Sequence, residues 1–115
     1  IPMATVDGSP SGDLLVVGWG GTYGAIKTAV IRQQKKGASV SHLHLRYLNP
    51  MPKNLGEILT NFKRILVPEI NLGQLVKVLR SDFLVPATGF NKVRGLPFRS
   101  AELEREIEEI LKGIK

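Results

Sequence analysis

The sequence predicts an α/β fold of three layers, a mainly parallel sheet covered by helices on both faces. Short apolar runs alternate with segments whose apolar residues recur at helical spacing, and the alternation continues through most of the 115 residues. Strands that alternate with helices pair in parallel, because each return to a parallel neighbour needs a crossover helix. A hydrophobic content of 43% suits one domain with a real core, in a chain too short for two.

The opening, "IPMATVDGSPSGD", is rich in Gly, Ser and Pro. Residues 1–12 read as a linker or a short edge strand and residues 13–115 as the domain; the start on Ile1 rather than Met suggests a piece of a longer chain. "LLVVGW", from Leu14, is a buried strand, and "GGTYG" turns it into a helix with Ala25, Ile26, Ala29 and Val30 inward and Gly37 as its stop. "ASVSHLHL", Ala38 to Leu45, is the second strand. The loop "RYLNPMP" leads to Asn54, which with Glu57 makes a capping box for a short helix through Ile58 and Leu59. "RILVPE", Arg64 to Glu69, is the third strand, after which Asn71 caps a helix with Leu72, Leu75, Val76 and Leu79 on its apolar face. "FLVPATGF" is a fourth strand, placed toward an edge by Pro86. Ser100 caps the last helix, which turns Leu103, Ile107, Ile110, Leu111 and Ile114 inward and its glutamates outward.

The absence of cysteine excludes disulfides, thiolate metal ligands, cysteine nucleophiles and iron–sulfur ligation by this chain. No apolar run is long enough to cross a bilayer and no signal segment opens the chain, so a cytoplasmic protein without a membrane partner is expected. The net charge of +6 is unevenly placed. From Leu14 to Gly56 there is no Asp or Glu, yet Lys27, Arg32, Lys35, Lys36, Arg46 and Lys53 lie there, while Glu102, Glu104, Glu106, Glu108 and Glu109 crowd the end. A solvated basic face is the commoner cause of such segregation; an anionic ligand or an acidic protein surface is the functional one. The aromatics are scattered singly, without the basic–aromatic interleaving of a stacking platform, so nucleic acid is not an expected partner.

In an open α/β sheet, ligands gather at the carboxyl ends of the strands. Here those ends carry Gly20, Gly21, Thr22, Tyr23 and Gly24, then Arg46, then Asn71, Gly73 and Gln74. These are the candidate anion- or substrate-binding residues. The glycine turn has two readings. It resembles a dinucleotide-binding turn, but no acid follows at the spacing that would bind ribose hydroxyls, leaving only Arg46 to meet a phosphorylated ribose. In the structural reading, Gly20 and Gly21 allow the sharp bend, Gly24 lets the helix pack close to the sheet, and Thr22 caps it; exposed amides there would still accept an anion. His42 and His44 alternate onto one strand face, but no third ligand lies near them, so sheet packing or an interface is expected rather than a metal. Glu69 is open to three roles: general base, ion-pair partner of Arg46, or a carboxylate held by backbone donors at a helix start. No self-contained catalytic set is present.

Read together, "VVGWGGTYGAI", "HLHLRYLNPMP", "ILVPEINLGQL" and "KVRGLPF" resemble the C-terminal portion of the α subunit of 2-oxoacid:ferredoxin oxidoreductases, especially the 2-oxoglutarate type. The likeness runs in order from about Gly12 to the last helix. One departure is that the family's turn usually reads GST where this chain has Gly20, Gly21 and Thr22. The resemblance implies a transketolase C-terminal-like fold, a mostly parallel sheet of about five strands with an antiparallel edge strand for which Ala4 to Asp7 is the candidate. It also implies a whole enzyme that oxidatively decarboxylates a 2-oxoacid to an acyl-CoA, with thiamine diphosphate, coenzyme A and an iron–sulfur cluster, and that passes electrons to ferredoxin. This chain carries no Gly-Asp-Gly diphosphate motif, so no cofactor is expected on it alone. Its expected partners are the remaining α-subunit domains and the β subunit, and its expected role is assembly, with a contact to an anionic ligand as the second possibility. A free-standing anion- or nucleotide-binding regulatory domain is the alternative.

Overall fold

The computed structural model describes residues 3–46, 51–70, 74–92 and 96–114. Among the described residues, five strands form one sheet: β1 (Val6–Asp7), β2 (Gly12–Trp19), β3 (Val40–Leu45), β4 (Phe62–Ile70) and β5 (Ala87–Lys92). The α-helices described are α1 (Tyr23–Lys35), α2 (Leu55–Thr60), α3 (Gln74–Phe83) and α4 (Ser100–Lys112), which connect or close the sheet. The strand order is β1-β3-β2-β4-β5, parallel except for β1, which pairs antiparallel with β3.

Leu14 to Val17 are all buried because β2 is covered on both faces. The period of two divides them. Leu14 and Val16 join Ile26, Ala29 and Val30 of α1 and Leu103 and Ile107 of α4, while Leu15 and Val17 join Leu55 and Leu59 of α2 and Leu75 and Leu79 of α3. Two cores thus lie on opposite faces of the sheet, which is the three-layer arrangement the alternation implied.

The expected strands and helices are present, and the differences are local. Phe83 ends α3, and β5 begins only at Ala87, after Pro86, whose carbonyl accepts from the Ile65 amide at 3.3 Å. Asn54 does not cap α2. Its side-chain amide instead clamps the Ala4 backbone, Oδ1 accepting from N at 2.8 Å and Nδ2 donating to O at 2.9 Å, so it holds the segment that leads into β1. At α4 the cap falls one residue earlier than Ser100, with the Glu102 carboxylate accepting from the Arg99 amide at 3.1 Å. The caps expected from Asn71 and the packing of Leu72 lie outside the described residues.

The glutamates of α4 do not all face outward. α4 lies beside α1, and buried Gln33 donates to Glu104 at 3.0 Å and to Glu108 at 2.9 Å. Arg32 meets Glu104 at 3.4 Å, and Lys36 meets Glu108 at 3.5 Å. Part of the basic block is therefore balanced by the acidic helix at the other end of the sequence.

Candidate functional site at the strand carboxyl ends

β2 runs on through α1 to β3 on one side, while β4 lies on its other side, so the chain reverses direction between β2 and β4. This is the switch point at which open α/β sheets form a cleft. β2–β4 pairing ends at Val16 and Leu66, although β2 continues to Trp19 and β4 to Ile70. Pro68, two residues further on, has no N–H to extend the ladder. Beyond that point a cleft of about 300 Å³ opens, lined by Trp19, Gly20, Gly21, Thr22, Glu69 and Ile70.

The turn that forms one wall is a single turn of 3-10 helix over Gly20–Thr22. Gly20 has φ +64°, the left-handed region that glycine enters without steric cost. Gly24 does not provide a close approach between helix and sheet, because a Cβ there would meet nothing within 4 Å. Gly18 does: a Cβ on it would run into Ile26 Cδ1 and come within 3.0 Å of Thr22 Oγ1. Thr22 is buried and makes no cap; its hydroxyl donates back to the Trp19 carbonyl at 3.0 Å.

Glu69 forms the other wall and is 2% exposed. Its carboxylate accepts from the amides of Leu75 at 2.7 Å and Val76 at 3.0 Å, with the Trp19 indole N–H at 3.4 Å. Of its three open roles, the structure shows the carboxylate held by backbone donors. A carboxylate at a helix start satisfies two otherwise orphaned N–H groups and sits at the positive end of the helix dipole.

Of the candidate residues, Gly20, Gly21 and Thr22 come together in the cleft. Arg46 is exposed and directly follows Leu45, the register partner of Trp19, which puts it at the same sheet edge. Gln74 begins α3, next to the Leu75 amide that Glu69 occupies. Asn71 and Gly73 lie outside the described residues. Tyr23 turns away from the cleft, its ring centroid 5.5 Å from that of His42 and 5.1 Å from that of His44. Both histidines are pushed below their usual pKa by burial, His42 to about 4, so His42 is neutral near pH 7. No group of three His, Cys, Asp or Glu side chains that could hold a metal occurs among the described residues. Sequence reasoning missed Trp19 as a cleft wall and Tyr23 as the cover of the histidine pair; the only sequence signals were an aromatic residue at each end of the glycine turn.

The sheet order, the antiparallel edge strand and the switch-point cleft define a transketolase-like α/β domain. The solved structure of a split-gene transketolase, an inactive β4 tetramer, superposes with TM-score 0.68 over 87% of this chain and 39% of that one, at 13% identity. More narrowly, the chain belongs to the pyruvate:ferredoxin oxidoreductase core domain II family, whose pattern matches residues 12–93. It is 46% identical to the 2-oxoglutarate oxidoreductase subunit KorA of Mycobacterium tuberculosis, over 98% of this chain and 18% of that protein. The 2-oxoglutarate:ferredoxin oxidoreductase from Magnetococcus marinus, solved with 2-oxoglutarate, coenzyme A and succinyl-CoA bound, superposes with TM-score 0.89 at 25% identity. That match covers 96% of this chain and 20% of the other. The chain therefore spans about a fifth of the length of these two relatives.

Proposed function

We propose that this chain is the C-terminal domain of the α subunit of a cytoplasmic 2-oxoacid:ferredoxin oxidoreductase that acts on 2-oxoglutarate, forms an acyl-CoA and CO2 and reduces ferredoxin. The observation that carries the proposal is the 46% identity to a 2-oxoglutarate oxidoreductase subunit along nearly the whole chain. The test is CoA-dependent reduction of ferredoxin or a viologen dye by the intact enzyme, with 2-oxoglutarate and pyruvate compared. Faster reduction with 2-oxoglutarate is expected. A preference for pyruvate overturns the substrate assignment, and no CoA-dependent reduction with any 2-oxoacid overturns the enzyme assignment.

Within that enzyme, residues 13–115 serve mainly to join the remaining α-subunit domains and the β subunit, with residues 1–12 leading in as a linker or edge strand. The residues present do not fit thiamine diphosphate or an iron–sulfur cluster. There is no cysteine. The carboxylate of Glu69 also already occupies two amides at the start of α3 and would repel a diphosphate brought to them.

A contact to an anionic ligand, such as the phosphates of coenzyme A, is the second reading, and the left-handed Gly20 and exposed Arg46 at one sheet edge favour it. It rests on Gly20, Gly21, Thr22 and Arg46 more than on Asn71, Gly73 and Gln74, because Glu69 fills the donors that follow Gln74. Arg46→Ala in the intact enzyme should then raise KM for coenzyme A while the subunits still assemble. An unchanged KM removes this reading and leaves assembly alone.

A further inference from the structure

The two edges of the sheet are built differently. An open edge offers a row of unpaired N–H and C=O groups, and folded chains blunt it by brevity, charge, proline, a bulge or a covering segment. The β1 edge is blunted by its two-residue length and by Asp7. β5 has six residues, "ATGFNK", with no proline among them. It pairs one to one with β4, from Ile65 with Ala87 to Ile70 with Lys92, so no bulge turns it aside. Its single charge, on Lys92, is already paired with Glu102 at 2.7 Å.

The register decides which backbone groups stay open. The Ile65 amide donates to the Pro86 carbonyl at 3.3 Å. In a parallel ladder every second residue turns both backbone groups to the same neighbour, so Pro86, Thr88, Phe90 and Lys92 face β4, while Ala87, Gly89 and Asn91 face outward. Ala87 is satisfied within the chain: its N–H donates to the Val85 carbonyl at 2.8 Å and its carbonyl accepts from Arg80 Nε at 2.8 Å. Gly89 and Asn91 have no backbone partner on that side among the described residues. Lys92 Nζ reaches the Pro97 carbonyl at 3.2 Å, which brings Leu96, 60% exposed, to the same end of β5. Open donors and acceptors at two alternate residues, with an exposed apolar side chain beside them, are what an added strand uses.

The size of this edge limits its occupant. β5 offers six residues, against the ~20–30 a side of a stable interface between separate proteins, so a second free copy would not be held by it. A segment tethered in the same assembly arrives at an effective concentration of about millimolar and needs no such area. The relatives carry about four-fifths of their length outside the region this chain matches, so such a segment has an ample source. Resting on the reading of this chain as one domain of a larger enzyme, we propose that an extended segment of that enzyme, from outside residues 1–115, pairs with Gly89 and Asn91 as an added strand beside β5. The β5 edge is then one of the joints through which the domain is held.

The test is amide hydrogen exchange of the intact enzyme, resolved to single residues by fragmentation mass spectrometry, on the parent and on Asn91→Pro. Proline there deletes an outward N–H and leaves the groups of Thr88, Phe90 and Lys92 that face β4 in place. In the parent, the Gly89 and Asn91 amides should exchange as slowly as those of Thr88 and Phe90. In Asn91→Pro the Gly89 amide should exchange at least about tenfold faster, while Thr88 and Phe90 keep their protection and so report that the domain folds. A benzoylphenylalanine photo-cross-linker in place of Asn91 should capture a peptide of the same enzyme from outside residues 1–115. Gly89 and Asn91 amides that exchange freely in the parent overturn the proposal, and so does capture confined to residues 1–115, which would mean that a second copy or the chain itself covers the edge. The parent exchange and the cross-link decide the matter even if the variant does not fold. Reduction of a viologen dye by the same preparation separates this from the enzyme assignment: activity with open Gly89 and Asn91 amides removes the strand pairing alone, whereas protected amides and an outside cross-link without 2-oxoacid activity remove the enzyme assignment alone.

Discussion

Replacing Glu69 by Ala should cost about 3 kcal/mol of folding stability. The side chain is 2% exposed and accepts the amides of Leu75 at 2.7 Å and Val76 at 3.0 Å. Hydrogen bonds to a charged group contribute ~1.5–3 kcal/mol each, so the two amides set a range of ~3–6 kcal/mol. The indole contact at 3.4 Å is long and adds little. The adjoining cleft of about 300 Å³ lets water reach the freed amides, which brings the loss to the lower end of the range. Glu69→Gln keeps one carbonyl oxygen for the helix start and should cost roughly half as much. Urea unfolding followed by the fluorescence of Trp19, the single tryptophan, measures both variants. Sulfate supplies a second readout: with the carboxylate gone, the start of α3 becomes an anion site, so sulfate should stabilise Glu69→Ala more than the parent chain. A Glu69→Ala variant within about 1 kcal/mol of the parent, or one that responds to sulfate as the parent does, would refute the idea that this side chain caps α3.

Three further outcomes are expected. Gly18→Ala should destabilise by about 1–3 kcal/mol, because its Cβ meets Ile26 and Thr22, whereas Gly24→Ala, in open space at the first turn of α1, should be neutral or stabilise by ~0.5 kcal/mol; equal effects in chemical denaturation would contradict this assignment of the close-packed glycine. Leu84 is 87% exposed with φ +53° just after α3. The left-handed conformation costs a non-glycine residue ~1–2 kcal/mol, of which added unfolded-state freedom takes back ~0.5–1 in a glycine variant, so Leu84→Gly should raise the stability by about 0.5 kcal/mol, and a lowered Tm would show that the leucine side chain is in use. His42 titrates near 6.5 when unfolded and at about 4 when folded. The unfolded chain therefore takes up the proton first, and the contribution of His42 is complete above pH 6.5, falls as pH drops through the window from 6.5 to 4, and is gone below it. The slope is at most ~1.4 kcal/mol per pH unit. Burial lowers the His44 pKa in the same direction, so His42→Phe should flatten this slope without abolishing it; a parent chain whose unfolding free energy is level between pH 6.5 and 5 would count against a neutral buried His42.

The layers of this fold were legible because its strongest signals are short in range. The run at Leu14 to Val17, the helical spacing of Ile26, Ala29 and Val30, and the pairs Leu75 with Leu79 and Leu103 with Ile107 each report which side of their own element is buried. The position of the rim followed from the same reading, since an alternating strand and helix pattern places every strand carboxyl end along one edge. The assignment of individual polar groups was less legible. Asn54, Thr22 and Ser100 are good capping residues by type, but the structure uses them to clamp Ala4, to bond the Trp19 carbonyl and to accept from Arg32. Gly24 had the spacing of a close-packing glycine, while Gly18 has the contact.

Composition and periodicity were enough for the fold class, the direction of most strands, the exclusion of thiolate chemistry and the location of the rim of strand carboxyl ends, because each depends on residues within a few positions of one another. Partnerships across the molecule waited for the assembled sheet. Glu69 finds the start of α3 only when β4 is in register with its neighbours, Lys36 finds Glu108 only when α1 and α4 pack side by side, and Asp7 stands over His42 only when β1 joins the edge. A polar side chain has several partners of similar energy within reach of a flexible chain. Which one it takes is set by the distances that packing of the apolar faces leaves available.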